Sequence, residues 1–251
     1  MSNRVRIKSK EEQDIMREGA AILKSVFEEI GKNIKVGTNA AFLDQIAYKT
    51  ITKQGAKPSF LGYRGYKYTT CISKNEEIVH GIPYPDKEFF PGDIVSIDCG
   101  VFYKGFHTDC ARTFCFDSLD EPVEHLVKVT EESFFKGIEG VGPGSKMGEI
   151  SSGIQEHVES HDLTVVRDLY SHGIGKELHE DPLIPNYGNK HDGITLKPGM
   201  TFAIEPMVNL GTQEILTLDD KWTIITADYK WSAHYENTIL VTEKSIEVLT
   251  I

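Results

Sequence analysis

At 251 residues the chain can build one large domain or two small ones, and 39% hydrophobic with 26% charged residues is the balance of a folded protein, not a disordered one. The formal net charge of -11 excludes a nucleic-acid binder that works through a general positive field. No apolar run approaches the ~20 residues that span a bilayer, the N-terminus has no apolar signal-like core, and Cys71, Cys99, Cys110 and Cys115 form no CxxC pair, so a cytoplasmic chain with reduced thiols is expected.

Arg4, Arg6, Lys8 and Lys10 read as a solvated lead-in to a first helix. Ser9-Lys10-Glu11-Glu12 has the form of a capping box, and the apolar periodicity that follows predicts an amphipathic helix to about Ile30. A second helix is predicted from Thr38 to Gln54, stopped by Gly55. Residues 58–116 are β-branched and aromatic, punctuated by Gly, Pro and Asn, and predict strands and turns. Pro122 opens a third helix ending near Gly140, Ser145 caps a fourth reaching about His161, and the strand pattern returns from 163.

This order, two helices then strands, twice over, predicts an internal duplication with pseudo-repeats at about 9–117 and 118–251 in a single domain, 1–251. Three local matches support it: Val36-Gly37 with Val141-Gly142, "VHGIP" at His80 with "SHGIG" at His172, and "FFPGDIVSID" with "LKPGMTFAIE". The last pair puts Asp98 and Glu205 at equivalent positions, each seven residues after a proline.

The chemistry concentrates in "DIVSIDCGVFYKGFHTDCARTF", a predicted β-hairpin turning at Tyr103-Lys104-Gly105. With an even-numbered loop, Asp98 and Asp109 share one face. A turn centred between Tyr103 and Lys104 sets them opposite, and a Lys104-Gly105 turn sets them on a diagonal. Two carboxylates on one apolar face repel unless a cation holds both. A solvent-facing pair on an edge hairpin is the alternative that this stretch alone leaves open. Glu205 and Glu236, again in apolar strand contexts, bring the acids to four, and divalent metal is the economical way to compensate them. His80, His172 and His179 add imidazole, which together with carboxylates suits Mn, Fe, Co or Zn.

The order Asp98, Asp109, His172, Glu205, Glu236, with "SHGIGKELHEDP" and "GMTFAIEPM" around the histidine and first glutamate, closely resembles type I methionine aminopeptidase across essentially the whole chain. The resemblance implies the pita-bread α+β fold, with duplicated helix-helix-strand halves around a central antiparallel sheet. It implies two divalent ions, Asp98 chelating one, His172 and Glu205 holding the other, Asp109 and Glu236 bridging, and a bridging hydroxide that attacks the scissile carbonyl. Glu205 would pass on the proton, His179 would stabilise the carbonyl oxygen, and His80 would reach the scissile nitrogen. Phe60, Tyr63, Tyr66, Cys71, Leu178 and Trp222 would form the methionine slot, and Asn75 and Ser232 match positions near a monovalent cation. Phe60 and Leu178 stand where bacterial relatives often have Cys and Phe, and Arg64 and Lys67 make the rim unusually basic. The implied substrates are N-terminal Met-X peptides of nascent chains with a small second residue, handled near the ribosome by a monomer without membrane or nucleic-acid partners. The rival readings are an Xaa-Pro aminopeptidase of the same fold, which the histidine segment argues against, and a metal-free binding member, which the intact ligand set argues against.

Overall fold

Ser9 and Glu12 start the first helix of the computed structural model, which describes residues 5–251. The Ser9 hydroxyl accepts from the Glu12 amide while the Glu12 carboxylate accepts from the Ser9 amide, so two amides that would be orphaned at a helix start are satisfied reciprocally. The helices are α1 (Lys10–Asn33), α2 (Ala40–Lys53), α3 (Glu121–Ile138) and α4 (Met147–Glu159).

Strands β1 (Lys57–Pro58), β2 (Thr70–Lys74), β3 (Glu77–Val79), β4 (Ile94–Tyr103) and β5 (Phe106–Cys115) come from the segment between the helix pairs. After α4 follow β6 (Thr164–Val165), β7 (Tyr170–Gly173), β8 (Glu180–Pro185), β9 (Thr201–Ile204) and β10 (Met207–Asn209). The chain ends with β11 (Ile215–Thr217), β12 (Ile224–Thr226), β13 (Ser232–His234), β14 (Glu236–Val241) and β15 (Ile246–Val248). Nine strands make the main sheet in the order β1-β4-β5-β14-β9-β7-β8, with β2 also on β4 and β15 also on β14; small sheets β13-β10-β6 and β11-β12-β3 complete the set. Every ladder in the main sheet is antiparallel. This is the curled antiparallel sheet of the pita-bread fold, as the resemblance implies.

The period-two alternation of a strand decides what each face carries. Ile97 and Cys99 of β4 and Cys110 of β5 pack with Leu23, Val26 and Ile30 of α1 and Leu43 and Ile51 of α2 in one apolar cluster. Phe202 and Ile204 of β9 and Ile239 and Val241 of β14 pack with Leu126 and Phe134 of α3 and Ile150 and Ile154 of α4 in another. Each such side chain contributes roughly 1.5–3 kcal/mol on full burial. Residues of opposite parity, Asp98, Asp109, Ala203 and Glu236 among them, turn to the other face. The solvent-facing edge-hairpin alternative is therefore overturned: β4 and β5 lie inside the sheet, with β1 and β2 covering β4 and β14 covering β5.

Three local expectations are corrected. Helix α2 starts at Ala40 with Asn39 as its cap, because the Thr38 hydroxyl is engaged with the Asn33 carbonyl and the Lys35 amide in the α1–α2 turn. Ser145 does not cap α4: its hydroxyl accepts from the Gly142 amide, and Lys146 takes the cap position with its own amide donating to Glu149. The basic lead-in is not solvated at Lys8, which is 2% exposed and bonded through Nζ to Glu180 at 2.7 Å. Arg6 pairs with Glu12, and Arg4 lies outside the described residues. Burial lowers the Lys8 pKa, and the Glu180 carboxylate works against that loss. Among the described residues, no helix is long and apolar enough to cross a membrane.

The Lys8–Glu180 pair ties the N-terminal segment to the strand that follows His179. Removing one partner strands a buried charge, which costs about 3–5 kcal/mol. Glu180→Gln is expected to lower unfolding free energy by about 3 kcal/mol in urea denaturation; a loss under about 0.5 kcal/mol would show that the pair is dispensable.

Candidate active site

The β4–β5 hairpin turns at Lys104-Gly105, both with positive φ (46° and 91°), the geometry that two-residue hairpin loops favour. The register pairs Asp98 with Ala111 and Gly100 with Asp109, so the two aspartates sit on a diagonal of one face. Glu236, at the start of β14, pairs with Ala111 from the other side. One row therefore runs Asp98, Ala111, Glu236, and the small middle residue leaves space between two acids. In the neighbouring row His172 of β7 pairs with Ala203 of β9, again a small residue, and Ala203 pairs with Thr238 of β14. Glu205 follows directly after β9.

Backbone and side-chain contacts hold these groups in place. The Asp109 amide donates to the Thr238 hydroxyl at 2.8 Å, and that hydroxyl donates back to the Asp109 carbonyl at 2.9 Å. The Glu205 amide donates to Ser171 Oγ at 2.9 Å, Ser171 Oγ donates to Asn186 Oδ1 at 2.7 Å, and Asn186 Nδ2 donates to the Glu205 carbonyl at 2.9 Å. The His172 Nδ1–H donates to the Gly173 carbonyl at 2.8 Å, which leaves Nε2 as the ring's free electron pair. That Nε2 lies 3.5 Å from Glu205 Oε1, and His234 Nε2 lies 3.5 Å from Glu205 Oε2. Donor atoms of Asp109, His172 and Glu236 lie within 4.8 Å of one another, as do those of Glu205, His234 and Glu236.

The electrostatics favour a cation. Burial, followed by the repulsion of Asp109 and Glu205, pushes Asp98 well above the carboxylate range. Glu205 and Glu236 are pushed up in the same way, by burial first and neighbouring acids second, and Asp109 is raised to about 7 by burial. Asp98 Oδ1 is buried without a hydrogen-bond partner. His172 is lowered to about 4 by burial and so offers a neutral imidazole. Four crowded carboxylates, one unpartnered oxygen and a neutral ring with a free Nε2 fit a divalent metal centre.

One cavity of about 650 Å³, counting its open mouth, is lined by all five proposed ligands together with His80 and His179. His80, directly after β3, has a left-handed backbone (φ 59°), a conformation that costs energy and is found at functional sites. Burial lowers its pKa to about 4. His179 sits exposed at the mouth, stacked on Tyr63, with its Nδ1 2.8 Å from the Tyr63 hydroxyl. Phe60, Tyr63, Tyr66, Cys71, Leu178 and Trp222 line the same cavity. Trp222 meets Tyr66 edge-on at 4.9 Å, and the Tyr66 hydroxyl donates to the Thr70 carbonyl at 2.9 Å, so the wall is braced. Arg64 also lines the cavity, its guanidinium 5.3 Å from the Tyr63 ring centroid. Asn75 and Ser232 lie outside the lining. The Ser232 amide donates to the Asn75 carbonyl at 2.9 Å, the Asn75 side chain bonds Asp93 and the Ile94 amide, and Ser232 Oγ donates to the Val208 carbonyl.

Sequence reading missed His234, Thr238, Ser171 and Asn186. His234 stands two residues before Glu236 in a strand-like run, the spacing that puts two side chains on one face. Asn186 and Thr238 gave no local signal, since their partners lie 19 and 129 residues away in sequence. Outer partners of this kind are worth about tenfold to a hundredfold in metal affinity. Ser171→Ala, which frees the Glu205 amide, is expected to weaken divalent-metal binding by about tenfold in titration calorimetry of the apoprotein; unchanged affinity would show that Glu205 is held without it.

The metallopeptidase family M24 profile matches residues 14–243. The chain is 46% identical to a methionine aminopeptidase of Clostridium perfringens over 98% of each sequence. It is also 46% identical to methionine aminopeptidase 1 of Bacillus subtilis, over 97% of this chain and 98% of that one. The crystal structure of a Thermotoga maritima methionine aminopeptidase superposes with a TM-score of 0.97 at 44% identity, covering 98% of this chain and 99% of the other. With this agreement over its full length, the chain belongs to the methionine aminopeptidases of metallopeptidase family M24, hydrolases that remove the N-terminal methionine of polypeptides in a metal-dependent reaction.

Proposed function

We propose that Asp98, Asp109, His172, Glu205 and Glu236 hold two divalent ions, drawn from Mn, Fe, Co or Zn, in a single catalytic unit spanning 1–251. Asp98 would hold one, His172 and Glu205 the other, and Asp109 and Glu236 would be shared between them. The observation that carries this reading is the one cavity that joins all five ligands, two further histidines and an apolar slot. Four carboxylates against two divalent ions leave the buried site neutral. When bound, such a pair polarises a carbonyl and makes water acidic enough to attack near neutral pH.

The chain's own groups do the rest. Glu205, with an imidazole against each carboxylate oxygen, accepts the proton of the attacking water. His179, with Nδ1 accepting from the Tyr63 hydroxyl, keeps its proton on Nε2 and donates it to the carbonyl oxygen as charge develops there. His80 hydrogen-bonds the scissile nitrogen and assists the departing amine. Phe60, Tyr66, Cys71, Leu178 and Trp222 enclose the unbranched thioether side chain, for which a polarizable, aromatic slot is suited. The crowded mouth at Tyr63, Arg64 and His179 favours a small second residue. Substrates of this kind are nascent chains in the cytoplasm, near the ribosome, and the enzyme works as a monomer. The duplication is part of the same reading: each half, about 9–117 and 118–251, supplies a helix pair and strands, with acids at matched positions Asp98 and Glu205. Asn75 and Ser232 would contribute to a monovalent cation site through their backbone carbonyls, since their side chains are engaged elsewhere.

The test is release of methionine from Met-Ala-Ser and from Met-X peptides with X varied, with Mn, Fe, Co and Zn restored to chelator-treated protein. Asp109→Asn is expected to reduce turnover by at least about a thousandfold, close to 4 kcal/mol of barrier, with the far-UV circular dichroism unchanged. Substantial activity of that variant at saturating metal would misassign the site. His179→Ala separates catalysis from binding: kcat should fall by about a hundredfold or more while metal affinity moves less than threefold. Parallel loss of both would make His179 a ligand.

A further inference from the structure

We propose that His234 is a further metal ligand of this centre, supplying a second imidazole to the ion held by Glu205. The proposal rests on the metal reading above and extends it by a residue that reading leaves out. His234 ends β13 and is 1% exposed. Its backbone is pinned from both sides by one hydroxyl: the amide donates to Thr113 Oγ1 at 3.1 Å, and Thr113 Oγ1 donates to its carbonyl at 2.9 Å. Its ladder partner is Met207, two residues beyond Glu205, so β10 and β13 carry the ring and the carboxylate to the same place.

The ring nitrogen is the decisive atom. His234 Nε2 is buried and makes no hydrogen bond, although a carboxylate oxygen lies 3.5 Å away. A hydrogen bond between them would bring the atoms to about 2.9 Å. Two donors bound to one ion by bonds of about 2.1 Å, meeting at about 90–110°, stand about 3.0–3.4 Å apart. The observed gap fits a shared ion better than a shared proton. It also equals the 3.5 Å between His172 Nε2 and the other Glu205 oxygen, the pair already assigned to one ion. Glu236 completes the set, since donor atoms of Glu205, His234 and Glu236 lie within 4.8 Å of one another. A neutral imidazole adds a donor without disturbing the balance of four carboxylates against two divalent ions.

Cobalt(II) alone serves as the probe, added to chelator-treated protein. X-ray absorption at the cobalt edge should count two imidazoles over two ions in the wild type, and His172→Ala should retain one. His234→Gln keeps a polar amide beside Glu205 but is a poor ligand; it should halve the imidazole count and weaken one cobalt equivalent by at least about tenfold. Wild-type protein with a single imidazole over two ions overturns the proposal, whether or not any variant folds. So does His234→Gln with wild-type affinity and scattering, which would make His234 a hydrogen-bonding neighbour of Glu205. Wild-type protein that binds no cobalt overturns the metal reading itself, a result distinct from either of these.

Discussion

Four carboxylates converge on one poorly solvated cavity, and the rest of the structure answers to that repulsion. Two like charges about 4 Å apart cost about 4 kcal/mol at an effective dielectric of about 20, and burial adds more. Among the described residues lining the cavity, Arg64, at its mouth, is the one arginine or lysine. Burial raises all four acids, and neighbouring carboxylates push Asp98, Glu205 and Glu236 up further, so their charged forms are disfavoured unless a cation compensates them. In the proposed site divalent ions would turn that liability into affinity, provided that the acids are kept from moving apart before the ions arrive.

The sheet holds them by distributing the proposed ligands. Asp98, Asp109, His172 and Glu236 come from four strands, and Glu205 from the end of a fifth. No single strand can relax without breaking ladders on both sides. Behind the site, each helix pair buries its apolar face against the sheet's other side. The period-two alternation lets Ile97 and Cys99 anchor to the helices while Asp98 between them enters the cavity. Arg112 adds a stitch across the back, donating to the carbonyls of Ala111 and Glu236 and to Asn237 Oδ1, so β5 and β14 cannot separate where they carry Asp109 and Glu236.

What was legible in the sequence follows from how local each cause is. The hairpin parity of Asp98 and Asp109 needs only a loop length, and both placements allowed by the turn kept them on one face. The capping box at Ser9 is a four-residue signal and held. The five proposed ligands were carried by their ordered contexts, and the aromatic slot by the resemblance. The failures lie where a distant partner decides. Lys8 reads as a surface charge until Glu180, 172 residues on, is seen beside it. Ser145 reads as a cap, but its hydroxyl turns to Gly142. Ser171 and Asn186 are ordinary polar residues whose role is set by the Glu205 backbone between them. His234 was within reach of sequence reasoning, because alternate strand positions share a face, yet a lone histidine there carries no context until the acids are placed.

The two histidine–glycine pairs show one physical cause acting at two histidines that line the cavity. After His80, a Cβ on Gly81 would stand 2.3 Å from the Ile72 carbonyl oxygen. After His172, a Cβ on Gly173 would stand 2.3 Å from the Asp181 carbonyl oxygen. In each case the backbone just past the histidine presses on a neighbouring strand too closely for any side chain. That contact fixes the chain direction at the histidine and so aims its ring: His172 into its Nδ1 hydrogen bond, His80 into its left-handed turn. The glycines therefore shape the proposed site although neither carries a reacting atom, and the "HGI" echo at His80 and His172 reflects a shared steric demand.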